Sequence, residues 1–567
     1  VDPARRVVIN ELVCEGCGDC GVQSNCLSVE PLETEFGRKR QINQSTCNKD
    51  FSCVQGFCPS FVTVEGGRLK TASARRSAQP ADSGALPEPE LPPISASAWG
   101  IVVAGVGGTG VITIGQLLGV AAHLEGKGIV TQDAGGLAQK GGATWSHVLI
   151  GTAQDAICTT RVGMAMADLV LGCDPIVTAS HETLLRMRAG RTHVALNAHS
   201  TPTAAFVTNA DWQNPSARCV ADITQAVGAQ AVGQFNAEAL ALQLMGDSLY
   251  INPMLLGYAW QRGWIPLQRA SLRRAMELNA VAVEKNQTAF EWGRQAAHDM
   301  ARVQALLPFT DVGAVGGAGE QVIHFMPRHR DANTGAAVAA QPVTDADLAR
   351  VVARRVEFLT AYQDTAYAAR YQAWIERVRL AEAPLGSNTL ADAVAHGLFK
   401  LMAYKDEYEV ARLHLDATFL SKIDSMFEGD YTLNYHLAPP LWAPKNERGE
   451  PIKQPYGPAM QIGFKLLAKL KGLRGGALDL FGYSAERRTE RALIDEYCTT
   501  LDEVLAQLTS NNHAIALELA RLPEQIRGFG HVKARHLVAV RSRWATLLSS
   551  YRTDSRANVK IQPNPQK

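Results

Sequence analysis

Apolar residues in the middle of the chain come in short, uninterrupted runs that are separated by glycine-rich or amphipathic stretches. The first run covers residues 101–104, and later runs read GIVTQDA, SHVLIG, ADLVLGCD and THVALNA. Continuous runs such as DLVLG are typical of strands that are buried on both faces of a parallel sheet. Helical periods lie between several of the runs. We therefore predict a Rossmann-like, doubly wound α/β domain over residues 99–305.

The two ends of the chain have different patterns. The stretch SFVTVEGGRLKT alternates like a short strand and closes a small α+β module that we predict over residues 1–71. Residues 345–567 are dominated by helical periods and predict a mostly α-helical domain, which YTLNYHLAPPLW and EQIRGFGHVKARH interrupt. Two stretches without an apolar period predict linkers, one rich in Pro, Ala and Ser (residues 72–98) and one rich in Gly and Ala (residues 306–344).

Cysteines give the N-terminal module its chemistry, because seven of the eleven lie between residues 14 and 58. The first three read CxxCxxC, a spacing that lets three thiolates on one loop reach three corners of a cubane. Bacterial ferredoxins take a fourth ligand from a distant cysteine that precedes a proline. Cys58 precedes Pro59 in this way. The module is therefore predicted to be ferredoxin-like, with a [4Fe-4S] cluster on Cys14, Cys17, Cys20 and Cys58.

The remaining cysteines of this stretch suggest a second cluster. Cys26, Cys47 and Cys53 supply three thiolates, and a CxxCxxC frame laid over the last two puts its middle ligand on Asp50. A carboxylate is a harder and poorer iron ligand than a thiolate. We predict either a [4Fe-4S] cluster with a labile Asp50 corner or a [3Fe-4S] cluster. The long insert between Cys26 and Cys47 weakens this second assignment.

Zinc and disulfides are the alternatives for these cysteines. Structural zinc sites usually use two separated cysteine pairs, and three cysteines in successive CxxC spacing would crowd a tetrahedral ion. The other four cysteines are scattered, as expected in a reducing cytosol: Cys158, Cys173, Cys219 and Cys498.

Overall composition adds few constraints. The 567 residues are 46% hydrophobic, which is enough for about three domains with cores, and the formal net charge is +1. Nothing in this balance suggests nucleic-acid or membrane binding, and we find no apolar run that would span a bilayer. We expect a cytoplasmic protein. Because it begins at Val1 and reaches the cysteine motif within fourteen residues, we expect a piece or subunit of something larger.

The sequence GVGGTG follows the first apolar run and precedes a helical stretch. It fits GxGxxG with Gly105, Gly107 and Gly110, and Gly108 adds a fourth glycine. Amides at the start of the following helix could hold a phosphate. A bound dinucleotide would also want an acidic residue after the next strand, where Asp133 lies. A lone GxGxxG is a weak signal, so a turn used for packing or for binding an anion, such as a cofactor phosphate, is the preferred interpretation.

The loop at residues 133–147, DAGGLAQKGGATWSH, is also glycine-rich. Glycines let backbone approach a ligand or another subunit closely, and Lys140, beside Gln139, could pair with an anion. The alternative is a flexible surface turn.

A few basic residues of the helical region could form a basic pocket, although a solvated helix junction explains them as well. They are Arg527, His531, Lys533 and His436.

These motifs together resemble one family. CEGCGDCGVQSNC, FCPSFVTVEGG, GVGGTGV, AQKGGATWSHVLIG, GYAWQRGW, FEWGR, FKLMAYKDEYEVARL, HLAPPL, FGYSAERR and RGFGHVK occur in this order. The combination is similar to the C-terminal half of the fused indolepyruvate ferredoxin oxidoreductases, which belong to the thiamine-diphosphate-dependent 2-oxoacid:ferredoxin oxidoreductases. The resemblance implies a ferredoxin module, a γ-type α/β domain and a helical C-terminal domain.

The resemblance further implies oxidative decarboxylation of an aryl-pyruvate such as indolepyruvate, with coenzyme A as acyl acceptor and ferredoxin as electron acceptor. We find no GDG and NN motif of the kind that binds Mg²⁺ and thiamine diphosphate. Those cofactors are therefore expected on a missing region or a partner chain, and a dimer or higher oligomer is expected. Contacts to coenzyme A or substrate at Gly107, Gly108, Gln139 or Lys140 are a hypothesis.

Two other functions compete with this one. The first is an NAD(P)- or flavin-linked iron-sulfur oxidoreductase that uses GVGGTG for its nucleotide. The second is a ferredoxin-like electron carrier or scaffold without catalysis.

Overall fold

The computed structural model describes residues 4–70, 86–94, 98–135, 141–202, 204–305, 343–439, 443–447 and 449–559. Its strands are β1 (Arg5–Ile9), β2 (Val29–Leu32), β3 (Lys39–Ile42), β4 (Phe61–Glu65), β5 (Arg68–Leu69), β6 (Trp99–Val106), β7 (Gly128–Gly135), β8 (Ala143–Gly151), β9 (Leu169–Gly172), β10 (His193–Asn197), β11 (Val232–Phe235), β12 (Phe427–Glu428), β13 (Thr432–Leu437) and β14 (Gln454–Tyr456).

The α-helices are α1 (Asp19–Ser24), α2 (Val111–Leu124), α3 (Pro175–Thr178), α4 (His181–Leu184), α5 (Ala204–Thr208), α6 (Ser216–Val227), α7 (Ala237–Met245), α8 (Ile251–Gln261), α9 (Arg269–Asn279), α10 (Val283–His298), α11 (Met300–Gln304), α12 (Asp345–Tyr362), α13 (Thr365–Glu382), α14 (Thr389–Met402), α15 (Glu407–His414), α16 (Ala417–Met426), α17 (Met460–Lys469), α18 (Ala485–Ala506), α19 (His513–Arg521) and α20 (Gly530–Val559). No described helix is both long and apolar enough to cross a bilayer.

The chain divides into two compact units. Unit 1 contains residues 1–42, 48–68 and 325–567, and unit 2 contains residues 43–47 and 69–324. Unit 1 therefore contains both the N-terminal module and the helical C-terminal region. The sequence predicts these two regions as separate domains.

A sheet in unit 1 is shared by the two ends of the chain. Its strand order is β1-β4-β13-β14, and β13 pairs antiparallel with β4 through Leu433 opposite Val64 and Tyr435 opposite Val62. The stretch YTLNYHLAPPLW, which interrupts the helical pattern, supplies β13. The C-terminal region thus extends the sheet of the N-terminal module.

Unit 2 is built on a six-stranded sheet of order β11-β10-β9-β6-β8-β7. Alternate residues of β6 point to opposite faces: Ile101 and Val103 belong to one apolar core and Val102 to another. Helices α2 and α8 contribute to the first core and α6 to the second. The described part of the sheet is therefore covered on both faces, as the continuous apolar runs predict.

The strands predicted to be parallel from DLVLG and HVALN are parallel, but one edge of the sheet is antiparallel. Strands β9, β10 and β11 run parallel with β6, but β8 pairs antiparallel with both β6 and β7. Only residues 136–142 connect β7 to β8. A parallel connection needs a dozen or more residues, so this short link imposes the antiparallel direction.

Part of the first predicted linker packs against unit 2. Leu91 and Ile94 lie on the core of the α/β domain, and the side-chain amide of Gln261 donates to the Pro87 carbonyl at 2.7 Å. Most of the second predicted linker lies outside the described residues. Helix α12 follows it with a capping box between Thr344 and Asp347, which satisfies orphan amides at the helix start.

Candidate iron-sulfur centre

The CxxCxxC loop follows β1 and ends in α1, and its backbone needs glycine. Gly16 and Gly18 have φ of +65° and +83°, a region that other residues adopt only with strain. A Cβ on Gly16 would collide with the Arg38 carbonyl. These turns place Cys14 and Cys20 in the interior and leave Cys17 half-buried.

The structure brings the four predicted ligands of the first cluster together. Burial, together with the nearby Cys58 and Cys14 thiols, raises the pKa of Cys17 to about 12. Burial also raises the pKa of Cys20 well above its usual value, with contributions from Cys58, Cys14 and Cys17. Four thiolates in this interior would repel one another, so they require a cationic partner such as iron to ionise.

Buried basic side chains surround these thiols. Burial lowers the pKa of Lys39 and of Lys400 well below the usual value, and neighbouring cations, above all Lys405, lower both further. Burial lowers the pKa of Lys405 to about 8, although the Cys14 thiol opposes this shift. Like charges gathered in an interior favour an anionic occupant. The residues present therefore fit an iron-sulfur cluster, whose thiolate ligands make it anionic.

Two lysines of the C-terminal region hold the backbone of the cysteine segments. The Lys405 ammonium donates to the carbonyls of Val13 and Cys14 at 3.1 and 3.2 Å, and it also pairs with Glu15 at 2.8 Å. The Lys453 ammonium donates to the Cys58 carbonyl at 3.1 Å. Sequence reasoning missed these lysines. Lys405 lies in FKLMAYKDEYEVARL, a motif of the family resemblance, whereas no sequence signal singles out Lys453.

A buried histidine anchors the segment after Cys58. The Nε2 atom of His414 lies 2.9 Å from the Pro59 carbonyl, and its Nδ1 atom lies 3.3 Å from the side-chain amide of Asn10. Burial lowers the pKa of His414 to about 4, so the ring is neutral at neutral pH. A neutral ring with its proton on Nε2 donates to Pro59 and accepts from Asn10, which satisfies both contacts.

Two of the four residues proposed for a basic pocket lie close to these lysines. Arg527 lowers the pKa of both Lys39 and Lys400, and Lys533 lines a small cavity with Lys400 and Lys405. His531 instead packs on Phe57 at 4.6 Å, and His436 Nε2 lies 3.2 Å from the Thr63 hydroxyl.

The ligands predicted for the second cluster have a more open setting. Cys26 and Cys47 are half-buried, Cys53 is buried and Asp50 is exposed. The Asp50 carboxylate accepts from the Ser52 amide at 3.0 Å and from its hydroxyl at 2.8 Å. Cys47 belongs to unit 2 and the other three residues to unit 1. Across the described ranges, which include both predicted ligand sets, no three His, Cys, Asp or Glu side chains form a group that could hold a metal ion.

The glycine turn of unit 2 links β6 to α2, as predicted. A Cβ on Gly105 would lie 2.8 Å from both Cys173 Cβ and Val111 Cγ2, so this glycine permits strand–helix packing. Gly108 and Gly110 have φ of +86° and +94°. The Gly107 amide donates to the Gly142 carbonyl at 2.7 Å, which ties the turn to the start of β8.

Gly110 is the N-cap of α2 and offers no side chain to its first turn. Asn252 braces the turn by donating to the Thr109 carbonyl at 2.8 Å. The predicted anion contacts Gln139 and Lys140 lie outside the described residues.

Comparison with known proteins places both large regions in families. Residues 100–296 match the family of pyruvate ferredoxin/flavodoxin oxidoreductases. Residues 348–546 match a family of unknown function, DUF6537.

Curated relatives match the α/β region. The indolepyruvate oxidoreductase subunit IorB of Methanothermobacter thermautotrophicus is 29% identical over 201 residues, which are 35% of this chain and 97% of that protein. The IorB of Pyrococcus horikoshii is 28% identical over 204 residues, 36% of this chain and 97% of that protein.

A similar solved structure is the keto/oxoacid ferredoxin oxidoreductase gamma subunit of Geobacter sulfurreducens. It has 21% identity and a TM-score of 0.25, and the match covers 35% of this chain and 98% of that one. Pyruvate oxidoreductase subunit PORC of Thermotoga maritima has 17% identity and a TM-score of 0.26, with 35% and 96% covered.

The family match covers the α/β domain that the glycine turn opens, and the IorB relatives agree with it. Residues 100–296 thus match the pyruvate ferredoxin/flavodoxin oxidoreductase family, which confirms for this region the resemblance to the 2-oxoacid:ferredoxin oxidoreductases that the motifs indicate.

Proposed function

We propose that this chain is the electron-transfer and γ-domain component of an oxidoreductase that decarboxylates indolepyruvate or a related aryl-pyruvate to the aryl-acetyl-CoA. The observation that carries the proposal is the gathering of Cys14, Cys17, Cys20 and Cys58 inside a shell of buried cations. This site occurs in a chain whose α/β domain belongs to the pyruvate ferredoxin/flavodoxin oxidoreductase family.

The four cysteines would hold a [4Fe-4S] cluster, which supplies a one-electron carrier when bound. The chain's own residues enclose the ligands: Cys14, Cys20 and Cys58 are each at most 8% exposed. Lysine contacts to the backbone at Cys14 and Cys58 fix the two segments that carry the ligands. A second cluster, [4Fe-4S] or [3Fe-4S], would use Cys26, Cys47, Asp50 and Cys53.

The indolepyruvate assignment is supported by the names of the IorB relatives. Thiamine diphosphate and Mg²⁺ would be bound by a partner chain or a missing region, since the motif that binds them is not found in this sequence. Ferredoxin would accept the electrons, coenzyme A would accept the acyl group, and the complex would be a dimer or higher oligomer. The scattered cysteines outside the module support a cytoplasmic location.

The glycine turn is proposed to serve an anionic group of coenzyme A or the substrate. Gly107 and Gly108 carry no side chains in this turn, and the start of α2 favours negative charge. Gln139 and Lys140 are proposed as further contacts.

Reconstitution tests this function directly. The anaerobically purified chain is mixed with its thiamine-diphosphate-binding partner, coenzyme A and ferredoxin, and ferredoxin reduction is followed with indolepyruvate, pyruvate or 2-oxoglutarate. We expect the highest kcat/KM with indolepyruvate. A Cys17→Ser variant should lose the activity, and Cys158→Ser, which alters an exposed cysteine far along the chain, should keep it.

Other results would favour the competing functions. Reduction of the clusters by NADH, or a flavin spectrum, would favour a nucleotide-linked oxidoreductase. Cluster content without any effect of this chain on oxoacid turnover would favour a simple electron carrier.

A further inference from the structure

The C-terminal region contacts the predicted cluster site at several separate points. Strand β4 begins three residues after Cys58, and β13 from the C-terminal region pairs with it. A Cβ on Gly528 would lie 3.4 Å from the Cys17 Cβ, so the turn before α20 packs on the cysteine loop. The cysteine segments are thus enclosed by residues that follow them by several hundred positions.

Lys453 is the most direct of these contacts. Its ammonium lies 3.1 Å from the Cys58 carbonyl and 4.6 Å from the centre of the Phe61 ring. The Lys453 ammonium therefore lies directly against the backbone of Cys58, one of the four proposed ligands.

Lys405 makes the matching contact at the other segment. It bonds the carbonyls of Val13 and Cys14, and its side chain is only 9% exposed. Glu15 pairs with both Lys405 and Lys400, so one carboxylate is shared by two lysines next to Cys14.

We infer that the C-terminal region, which matches a family of unknown function, is part of the iron-sulfur site: Lys405 and Lys453 position Cys14 and Cys58, and their charges raise the reduction potential of the cluster. This inference rests on the proposed function, because it assigns these lysines a role toward that cluster.

The electrostatic reason is general. A cluster gains one negative charge on one-electron reduction, and a nearby cation stabilises the more negative state. Water screens this effect little at a buried site. Removing one such cation should lower the equilibrium constant for reduction about tenfold, which is 59 mV for a one-electron couple.

The test compares Lys453→Met with Lys465→Met in the full chain, purified without oxygen. Both substitutions remove one charge from the C-terminal region, but Lys465 is exposed on α17. Iron and acid-labile sulfide report cluster content. A redox titration with dithionite, followed by EPR, reports the midpoint potential. Lys453→Arg keeps the charge and serves as the rescue variant.

We expect Lys453→Met to bind iron as the wild type does and to have the lower potential, while Lys453→Arg and Lys465→Met stay near the wild-type value. Loss of iron in Lys453→Met alone, with Lys453→Arg retaining it, would also support the inference, because the charge would then be needed for loading. Equal potentials in Lys453→Met and the wild type would overturn it.

Loss of iron in both Lys453→Met and Lys453→Arg would also overturn the inference, because the site would then need the shape of the lysine side chain and not its charge. Lys405→Met provides an independent second variant, with the same downward shift expected. A wild-type chain that binds no iron would instead refute the proposed function, so the two failures are distinguishable.

Discussion

The ligands predicted for the first cluster and those predicted for the second have similar local spacing in the sequence, but their surroundings in the fold differ. Around Cys14 and Cys58, the C-terminal region supplies backbone contacts and buried positive charge. Asp50 is exposed, and its carboxylate binds Ser52 in its own turn. Spacing predicts candidate ligands in both sets, whereas burial and charge distinguish an enclosed candidate site from an open one.

Replacing one ligand from each set should have the largest effect. Cys17→Ser should remove about four irons, because a cubane needs its thiolate corners. Cys26→Ser should remove at most the iron of the second site and leave the first unchanged. Metal analysis of the anaerobic protein measures both, with the exposed Cys158 replaced by Ser as control. Retention of full iron content by Cys17→Ser would refute the assignment of the first set.

Neutralising one carboxylate near each predicted ligand set should lower the free energy of unfolding by different amounts. Glu15 is 8% exposed and pairs with Lys405 and Lys400. Glu15→Gln leaves those buried ammonium groups without their carboxylate and should cost about 3–5 kcal/mol. Asp50→Asn changes an exposed carboxylate and should cost less than about 1 kcal/mol. Urea unfolding followed by circular dichroism measures both, and equal losses would contradict the contrast between the sites.

The free energy of unfolding should also depend on pH through His414, which lies beside the first site. Its native pKa of about 4 lies below the usual value of 6.5, so the unfolded state binds the proton first. Stability should therefore fall as the pH decreases from 6.5 to 4, by as much as about 3 kcal/mol. His414→Gln should be less stable at neutral pH but should show a shallower pH dependence.

Urea midpoints at several pH values between these limits measure the His414 contribution. His181→Gln, at an exposed histidine in unit 2, is the control and should keep the wild-type slope. If His414→Gln also kept that slope, protonation of His414 would not be what destabilises the site.

Features of the fold that depend on a short stretch of sequence could be predicted, and features that depend on distant parts of the chain could not. The CxxCxxC loop and the turn from β6 through Gly105 and Gly110 to α2 depend on short stretches of sequence. The direction of β8 does not follow from its apolar pattern, so the antiparallel edge of the sheet could not be predicted. Periodicity shows which faces are buried but leaves strand direction open.

The cationic shell is beyond such reasoning for a different reason. Lys405 and Lys453 stand 391 and 395 residues from the cysteines whose carbonyls they bind. A single lysine in a charged helical stretch looks like any solvated residue until the fold places it in the interior. The pairing of β13 with β4 is equally remote in sequence, so the joining of the two chain ends in unit 1 could not be predicted.

The smallest expected effect is a gain at the second set. Asp50 occupies the position that a cysteine would fill in a complete CxxCxxC frame. To bind iron, its carboxylate would have to release the Ser52 amide and hydroxyl. Asp50→Cys offers a softer ligand without that competition. We expect the iron content to rise by about one atom and an oxidised [3Fe-4S] EPR signal to disappear.

Asp50→Ser is the matched control for this change, since it removes the carboxylate without adding a thiolate. Because Asp50 is exposed, both variants should fold as the wild type does. An increase in iron for Asp50→Cys alone would show that Cys26, Cys47 and Cys53 share a cluster with that position. Unchanged iron and an unchanged spectrum in Asp50→Cys would mean that these three cysteines hold no cluster with position 50, which would leave the enclosed first site as the single electron exit.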